Sequence, residues 1–459
     1  MPVPRAIRRV LRRISPAQLV LGSFAAAIAI GTALLMLPAM AAPGTPPVGF
    51  VDALFTATSA VCVTGLASVD TATRWSGLGQ ATILLLIQLG GLGIMTCSTF
   101  LVLLVRGRIS VRGRMTLQDT LGGASAADLR RLVATVFVST FVIEAIGAAA
   151  LAARFALEMP PGRAIWFGLF HAVSAFCNAG FALFSRGLVD YVDDPTVNVV
   201  VPGLVILGGL GFLVIGECWA RRRGKAAQRE LSLHTRLVLS TTALLLGAGM
   251  VGFFLLERAN TLAALPWPAK VMAAWFQAVT PRTAGYNTLD YADLTNPTLL
   301  FTIVLMFIGA APGSTGGGVK VTTAAILWGI VRSQLAGEER VHLFRHAVPR
   351  ETVGRAVTLA AAAALAVVVA TLALQVTEAH GQVSDASRGL FLELLFEAVS
   401  AFGTVGLSTG VTPRLSDAGK IVIVAMMYLG RVGPLTLTLG LSRPTRGRIQ
   451  YPEEPVVVG

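Results

Sequence analysis

Eight long apolar stretches run through this chain, and each is long enough to cross a lipid bilayer as an α-helix. A bilayer core requires about 20 predominantly apolar residues per helix. Only 13% of the 459 residues are charged, about half the fraction usual for a soluble domain, which excludes a soluble protein. We therefore predict an all-α integral membrane protein with eight transmembrane helices. The stretches are residues 17–40, 76–105, 129–157, 197–220, 233–257, 297–331, 352–377 and 418–441.

A shorter apolar segment lies between the two members of each successive pair of long stretches. These segments run for roughly 12 residues, which is too short to cross the bilayer and is typical of re-entrant helices. They predict four re-entrant pore helices, each between two spanning helices. Their ranges are residues 49–61, 164–176, 269–280 and 389–401.

The basic residues indicate how the chain is oriented in the membrane. Of the 37 Lys and Arg residues, 25 lie in the N-terminus, in the three connections between pairs of stretches, or after Leu441. The positive-inside rule places these segments, and both termini, in the cytoplasm of a multi-pass cell-membrane protein. The net charge of +13 is therefore a topology signal and not a sign of nucleic-acid binding. The Arg-rich start resembles a signal peptide, but the first stretch is longer than a signal core, so we interpret it as a retained helix.

The four short segments resemble one another in sequence, which indicates a fourfold internal repeat. Each copy starts at a Phe and ends at a Gly, and the third copy is one residue shorter. The copies are residues 55–65, 170–180, 276–285 and 396–406. We predict four covalently linked span–pore helix–span repeats around one pseudo-fourfold pore. The repeats cover residues 1–107, 108–224, 225–335 and 336–459.

Glycine-containing loops that follow four converging pore helices can bind a monovalent cation. Helix C-termini carry partial negative charge, and glycine permits backbone angles that aim successive carbonyl oxygens in one direction. Rings of such oxygens replace the hydration of K⁺ in a channel filter. Four ordinary glycine-rich turns are the alternative, which the matching position of all four copies disfavours. The candidate filter residues are Cys62, Val63, Thr64, Gly65, Cys177, Asn178, Ala179, Gly180, Arg282, Thr283, Ala284, Gly285, Gly403, Thr404, Val405 and Gly406.

The sixth long stretch contains a glycine-rich segment that should interrupt its helix. Pro312 and the four glycines that follow it disfavour a helix, so we predict a flexible loop below the filter; a simple kink is the alternative. The segment is not a P-loop, because Val319 separates the last glycine from the lysine. We expect that lysine to reach toward the cytoplasmic side. The loop and lysine comprise Gly313, Ser314, Thr315, Gly316, Gly317, Gly318 and Lys320.

Two arginines lie at the predicted depth of the membrane. Arg431 in the last stretch should face water or the protein interior, because a lipid-exposed arginine is costly; a pair with Glu217 is the alternative. Arg282 precedes Gly285 by three residues, and a guanidinium aimed into a cation filter would repel the ion. We therefore predict that Arg282 points behind the filter and pairs with Glu393 or Glu397.

Four linked units with one filter glycine each resemble the Trk/Ktr/HKT superfamily of potassium transporters. The resemblance covers about residues 17–441, and residues 276–288 are most similar to the membrane subunit of bacterial Ktr systems. It implies channel-like potassium uptake, with the loop after Pro312 as the gate and Arg431 facing the pore beside it. It also implies a homodimer and a cytosolic ring of RCK-type nucleotide-binding subunits, similar to KtrA or TrkA. Potassium is then the transported ion and sodium a candidate activator, and we expect no organic cofactor in this chain and no nucleic-acid partner.

Several polar residues lie outside the predicted filter and gate. We predict that Cys62 and Cys177 are free thiols that pack behind the filter. Glu144 is expected to be a buried, hydrogen-bonded acid away from any filter; a proton relay is the alternative. His342 and His346 have the i, i+4 spacing of a helical metal site but no acidic ligand close by in sequence, so we expect a solvated helix at an interface.

Two other classes of membrane protein fit the composition less well. A secondary transporter with a midplane site in broken helices does not predict four matching re-entrant segments. A membrane enzyme would need a cluster of carboxylates or histidines on one membrane face, so we predict no enzymatic activity. The basic cytoplasmic segments fit docking of the regulatory ring and fit anionic lipids equally. The four loops differ in sequence, which favours weaker potassium-over-sodium selectivity than a symmetric tetramer has.

Overall fold

A computed structural model describes residues 16–106, 126–222, 230–378 and 384–441. Within these ranges the fold is almost entirely helical. The first repeat contains α1 (Pro16–Leu35), the pore helix α2 (Phe50–Val61) and α3 (Gly77–Arg106). The predicted orientation also rests on basic residues that lie outside the described residues: those before residue 16, in residues 107–125 and 223–229, and after residue 441.

The second repeat has a broken second span. It contains α4 (Ala126–Phe155), the pore helix α5 (Pro161–Phe176), and then α6 (Pro195–Leu210) and α7 (Phe212–Arg222). The two halves meet at an angle of 98° at Gly211, whose φ of 81° favours glycine. The prediction of one continuous span over residues 197–220 was wrong on this point.

The second span of the third repeat is interrupted at the glycine-rich segment, as predicted from the sequence. Its helices are α8 (Leu233–Glu257), the pore helix α9 (Trp267–Val279), α10 (Asn296–Phe307) and α11 (Val321–Leu335). Residues 308–320 form the intramembrane loop between α10 and α11.

A short hairpin and the fourth repeat follow. The hairpin strands are β1 (His342–Leu343) and β2 (His346–Ala347), which pair antiparallel. The fourth repeat contains α12 (Arg350–Glu378), the pore helix α13 (Ser384–Gly403) and α14 (Asp417–Leu441). The predicted helix containing His342 and His346 was therefore wrong.

The predicted membrane spans differ in the length of their uninterrupted apolar helix. Among the described residues, three helices are long and apolar enough to cross a membrane by themselves, and the bent α6–α7 pair passes together. The three are Val136–Phe155, Leu233–Glu257 and Arg350–Glu378. Shorter apolar helices, including Gly77–Gly93 and Asn296–Phe307, occupy other predicted spans.

The four pore helices form the centre of the hydrophobic core. The Phe that opens each repeated segment is almost completely buried, with an exposed fraction of at most 1%. Close packing of these side chains, rather than their removal from water, holds membrane helices together. The four equivalent residues are Phe55, Phe170, Phe276 and Phe396.

Carboxylates join the outer ends of the spans in the last two repeats. Glu257, at the end of α8, accepts hydrogen bonds from the Thr295 amide at 2.9 Å and from the Thr298 hydroxyl at 2.5 Å. Glu378, at the end of α12, accepts from the Ser416 amide at 3.0 Å and hydroxyl at 2.6 Å. Each carboxylate thus accepts from residues at the start of the next span, where a helix has unpaired N–H groups.

Candidate functional site

A hydroxyl side chain holds the end of each candidate filter loop against its own pore helix. These loops, which end at the four repeated glycines, are called the filter loops below. Ser59 accepts a hydrogen bond from the Gly65 amide at 3.0 Å, and Ser400 accepts from the Gly406 amide at 3.1 Å. In the other two repeats the hydroxyl donates to a carbonyl just after the loop, from Ser174 to Phe181 at 2.9 Å and from Thr280 to Tyr286. All four hydroxyls lie four residues after the buried Phe.

The backbone of all four filter loops has the same unusual conformation. The residue two positions before each glycine has a positive φ between 48° and 65°, and so does the glycine, between 69° and 99°. The intervening residue has negative φ. Positive φ is strained for a β-branched residue and tends to occur where function requires it. The non-glycine residues are Val63, Asn178, Thr283 and Thr404.

The four loops contact one another in a closed ring. Each filter glycine lies so close to the next repeat that an added Cβ would collide with the carbonyl oxygen just before that repeat's glycine. From the added Cβ to the carbonyl oxygen, the distances are 2.4 Å for Gly65 and Ala179, 2.8 Å for Gly180 and Ala284, 2.6 Å for Gly285 and Val405, and 2.0 Å for Gly406 and Thr64. The contacts run from repeat one to four and back to one, so the loops surround a common axis.

The spans behind the loops are fitted to the pore helices by glycine. A Cβ on Gly90 would lie 2.0 Å from the Val61 carbonyl oxygen. Gly208 and Gly430 have the same relation to Phe176 and Phe402, at 1.9 Å and 1.8 Å. In the third repeat the corresponding contact is with the intramembrane loop, because a Cβ on Gly309 would lie 2.1 Å from the Gly317 carbonyl oxygen.

The intramembrane loop lies in the space that the bend between α6 and α7 provides. The Ala311 amide donates to the Gly209 carbonyl at 3.0 Å, and the Thr315 amide donates to the Gly208 carbonyl at 3.2 Å. A Cβ on Gly211 would lie 2.8 Å from the Pro312 carbonyl oxygen. The breaks in repeats two and three therefore fit together.

Two cationic side chains bond to three successive carbonyls of the loop. Arg431 donates to the Thr315 carbonyl and, at 3.2 Å, to the Gly90 carbonyl. Lys320 donates to the Gly316 carbonyl at 2.6 Å and lies 3.5 Å from the Gly317 carbonyl. Lys320 thus folds back onto the loop, contrary to the expectation that it reaches the cytoplasmic side.

These contacts exclude the alternative partner of Arg431 and correct the predicted partner of Arg282. Arg431 does not pair with Glu217, whose carboxylate instead accepts from Ser232 and Thr235 at the start of α8. Arg282 lies behind the filter, 7% exposed, and donates from Nη2 to the Gly309 carbonyl at 3.1 Å.

The glutamates expected to pair with Arg282 have other partners. Glu397 accepts from the Ser408 hydroxyl and, at 2.9 Å, from the Thr412 hydroxyl. Glu393 lies 3.9 Å from Arg414. The prediction of an Arg282–glutamate pair was wrong, because hydroxyls after the filter satisfy Glu397 and the Arg282 guanidinium bonds to backbone.

The environment of Glu144 differs in part from the prediction. It is buried and hydrogen-bonded, accepting from the Gln88 amide at 3.3 Å. However, it also lies 3.8 Å from the Cys177 sulfur, so it stands directly behind the second filter loop. Cys62 and Cys177 are both buried free thiols, as predicted.

A second repeat-related set of polar residues was missed by the sequence reasoning. In repeats two, three and four, the residue after the buried Phe bonds to the segment that follows the filter loop, whereas the equivalent Thr56 hydroxyl of repeat one has no hydrogen-bond partner among the described residues. His171 accepts from the Leu183 amide at 3.3 Å, Gln277 accepts from the Tyr291 hydroxyl at 2.7 Å, and Glu397 bonds as above. The shared position of these polar residues in the aligned copies was the available signal.

No group of three metal-ligating side chains occurs among the described residues. His342 instead lies 3.2 Å from Glu338 in the exposed turn before β1. This acidic neighbour lies four residues upstream, contrary to the expectation that no acid lies close by in sequence.

The fold and the ring of loops define a multi-pass membrane transport protein with one pseudo-fourfold pore. The sequence profile of the TrkH family, described as cation transport protein, matches residues 18–445. The chain belongs to this family, whose members are cation transporters and not enzymes.

Relatives and a solved structure match over nearly the full length. The chain is 40% identical to Ktr system potassium uptake protein B of Bacillus subtilis (strain 168), over 97% of each chain. It is 39% identical to potassium/sodium uptake protein NtpJ of Enterococcus hirae, over 98% of this chain and 99% of that protein. The crystal structure of the potassium transporter TrkH from Vibrio parahaemolyticus has the same fold, with a TM-score of 0.70 and 20% identity, and the match covers 95% of this chain and 86% of that one.

Proposed function

We propose that this chain is the ion-conducting subunit of a potassium uptake system and that its four loops form the filter. The closed ring of glycine–carbonyl contacts carries the proposal, because it brings carbonyl oxygens from four equivalent loops around one axis. The names of the relatives, which are potassium or potassium/sodium uptake proteins, support potassium as the ion. The four repeats, with the boundaries expected from the sequence, are its structural units.

In this mechanism, K⁺ loses its water at the filter and is held by backbone oxygens. The alternating backbone angles aim successive carbonyls at the axis, and the pore-helix C-termini add partial negative charge. The driving force is the electrochemical gradient, about 2.3 kcal/mol per charge for each 100 mV. Because the loops differ in sequence, we expect weaker discrimination against sodium than in a symmetric filter.

The intramembrane loop is the proposed gate. Its segment from Gly313 to Gly318 lies against the filter loops, where it obstructs the path below them. Arg431 and Lys320 hold it there through backbone carbonyls and place two positive charges beside the path. Passage of K⁺ therefore requires the loop to move, and glycines give it the backbone freedom to do so.

The proposed assembly extends beyond this chain. Because a relative is named protein B of a Ktr system, we propose a partner subunit, specifically a cytosolic ring of nucleotide-binding RCK-type proteins. We further propose a homodimer in the cell membrane with cytoplasmic termini, basic segments in contact with the ring or with anionic lipids, and Na⁺ as an activating ion.

A secondary transporter is the second candidate, and the broken spans of repeats two and three are the observation that favours it. It differs in requiring strict coupling to a second ion. Potassium flux that continues down its own gradient in the absence of sodium and of a proton gradient contradicts this alternative.

Potassium-limited growth of an uptake-deficient bacterial strain tests the proposed filter. We expect the wild-type chain, expressed with its regulatory subunit, to restore growth. Changing each filter glycine to serine should abolish or strongly reduce rescue at equal protein levels. Gly247→Ser is the matched control, because Gly247 lies in α8 with nothing within 4 Å of an added Cβ. Equal growth with all four serine variants contradicts the filter. The variants are Gly65→Ser, Gly180→Ser, Gly285→Ser and Gly406→Ser.

A further inference from the structure

The side chain of Asn178 connects the second filter loop to the third and to the intramembrane loop. One end of its amide lies 3.1 Å from the Thr315 hydroxyl, and this contact holds for either assignment of the amide oxygen and nitrogen. The other end lies 3.4 Å from the Thr283 hydroxyl and 3.4 Å from the Arg282 carbonyl. Asn178 is completely buried, so these contacts are shielded from bulk water.

Thr315 is held at both its backbone and its side chain. Its amide donates to the Gly208 carbonyl at 3.2 Å, and its carbonyl accepts from Arg431. Its hydroxyl lies 3.3 Å from the Phe176 carbonyl at the end of the second pore helix, in addition to the contact with Asn178. Thr315 is therefore the point at which the loop is joined to the second filter.

The next two residues of the loop lie directly against the inner ends of the third and fourth filter loops. A Cβ on Gly316 would lie 2.3 Å from the Thr283 hydroxyl oxygen, and one on Gly317 would lie 2.3 Å from the Thr404 hydroxyl oxygen. Thr283 and Thr404 are at the strained, positive-φ position of their loops, as Asn178 is in its own. The loop thus contacts three filter loops at the same backbone position.

We propose that the Asn178–Thr315 contact couples the gate to the filter, so that loop position changes ion selectivity as well as access. The inference rests on the proposed function, since it assigns roles to the same filter and gate. With the loop seated, Thr315 fixes the Asn178 side chain, and Asn178 in turn positions Thr283. When the loop leaves, these side chains lose a fixed partner at a strained backbone, and the inner end of the filter loosens. Asn178 is thus a positioning residue.

The coupling requires that loop and filter variants change the same equilibrium. Thr315→Val removes the hydroxyl from the loop, and Asn178→Val gives the second loop the residue that the first has at Val63. Loss of one hydrogen bond should shift a two-state equilibrium about three- to tenfold. If loop position and filter order form one two-state equilibrium, each variant shifts that equilibrium and should therefore change both flux and selectivity.

The test measures rubidium flux and the sodium-to-potassium permeability ratio of the full chain in proteoliposomes. We expect Thr315→Val to raise flux about three- to tenfold and to raise relative sodium permeability. The double variant, Thr315→Val with Asn178→Val, should change flux and relative sodium permeability by no more than the single variant with the larger effect. Thr315→Ser keeps the hydroxyl and should behave as wild type. Thr371→Val, which removes a buried hydroxyl bonded only within α12, should change neither quantity.

Two results overturn the coupling. One is a Thr315→Val variant with raised flux and an unchanged permeability ratio. The other is a double variant whose effects on flux and ratio multiply, which shows that the two residues act independently. If Asn178→Val does not fold, the permeability ratios of Thr315→Val and Thr315→Ser decide the question alone. A wild-type chain without cation flux contradicts the proposed function itself, which distinguishes the two failures.

Discussion

Gly406 and Thr64 close the ring of filter loops across the junction between the fourth and first repeats. A Cβ on Gly406 would lie 2.0 Å from the Thr64 carbonyl oxygen, the shortest of the four contacts to a carbonyl in the ring. The other three junctions of the ring lie between repeats that follow each other in sequence. At this junction, packing and hydrogen bonds must hold together repeats that are farthest apart in the chain.

We therefore expect Gly406→Ala to impair ion conduction. The new methyl group collides with Thr64, and the positive φ of 89° adds strain of about 1–2 kcal/mol for a residue with a Cβ. We expect at least about tenfold lower rubidium flux, since each 1.4 kcal/mol corresponds to a factor of ten. Flux equal to that of a Gly247→Ala control contradicts the tight contact.

The same junction contains an ion pair that should stabilise the closed ring. Lys420 at the start of α14 lies 2.9 Å from Asp52 in the first turn of α2, and the lysine is 9% exposed. Asp52→Asn should lower the free energy of unfolding by about 1–3 kcal/mol, because it leaves a largely buried cation without its partner. Thermal unfolding in detergent measures this loss.

The charge-swapped variant provides the control for this pair. Asp52→Lys combined with Lys420→Asp should recover part of the stability that either single change loses. Single and double variants with additive losses show that the pair contributes no interaction energy at this junction.

Lys320 should hold the intramembrane loop in its seated position. Lys320→Met removes a charged donor from the Gly316 carbonyl, and such bonds contribute about 1.5–3 kcal/mol. We expect roughly tenfold or greater flux through the chain in the absence of its regulatory subunit. Rubidium flux into proteoliposomes measures the change.

Two variants control for the Lys320 result. Lys320→Arg keeps a cationic donor and should retain most of the closure. Lys270→Met removes a lysine from the outer start of α9 and should not raise flux. Unchanged or lower flux in correctly folded Lys320→Met protein contradicts the holding role.

Arg282 and Glu397 should behave as independent sites. Arg282 bonds to the Gly309 carbonyl and Glu397 to Ser408 and Thr412, so no shared contact joins them. A double-mutant cycle with Arg282→Met and Glu397→Gln should give a coupling free energy below about 0.5 kcal/mol. A coupling free energy above about 1 kcal/mol contradicts their independence and supports the ion pair that the sequence analysis predicted.

The hairpin between α11 and α12 should respond to acid. Hydrogen bonds from His342 and Ser333 lower the pKa of the exposed Glu338 carboxyl. A lowered pKa means that the contribution to hairpin order is present above the ordinary carboxyl range and is lost as pH falls through the lowered pKa. Amide hydrogen exchange of residues 338–348 should show this loss in wild type and not in Glu338→Gln. Identical pH profiles contradict the contact.

The repeat pattern was sufficient to predict the four pore helices and the place of the glycine loops that follow them, because each copy combines a buried Phe with a glycine at the same spacing. That these loops form an ion filter stays a prediction. Hydropathy located the spans because the hydrocarbon core of a bilayer requires long apolar helices. The bend at Gly211 was not predicted, since the apolar stretch continues across it. Its signal was the series Gly208, Gly209 and Gly211, which permits close approach of the intramembrane loop.

Side-chain partners were harder to predict than elements. The sequence indicated that Arg282 must avoid the pore, but it could not show that backbone carbonyls would satisfy the guanidinium. Lys320 was expected to extend toward water, whereas loop carbonyls lie within its reach. The two-residue strands around His342 and His346 are too short for an alternating pattern, so their i, i+4 spacing favoured a helix.

The central claim is that the four loops conduct potassium, and rubidium uptake into proteoliposomes tests it most directly. The purified chain with its regulatory subunit, under an inside-negative potential, should take up rubidium much faster than empty liposomes. Excess potassium should compete with rubidium more effectively than equal sodium, and the Gly406→Ser variant should reduce uptake to near background. Uptake equal to that of empty liposomes, or unaffected by Gly406→Ser, contradicts the account.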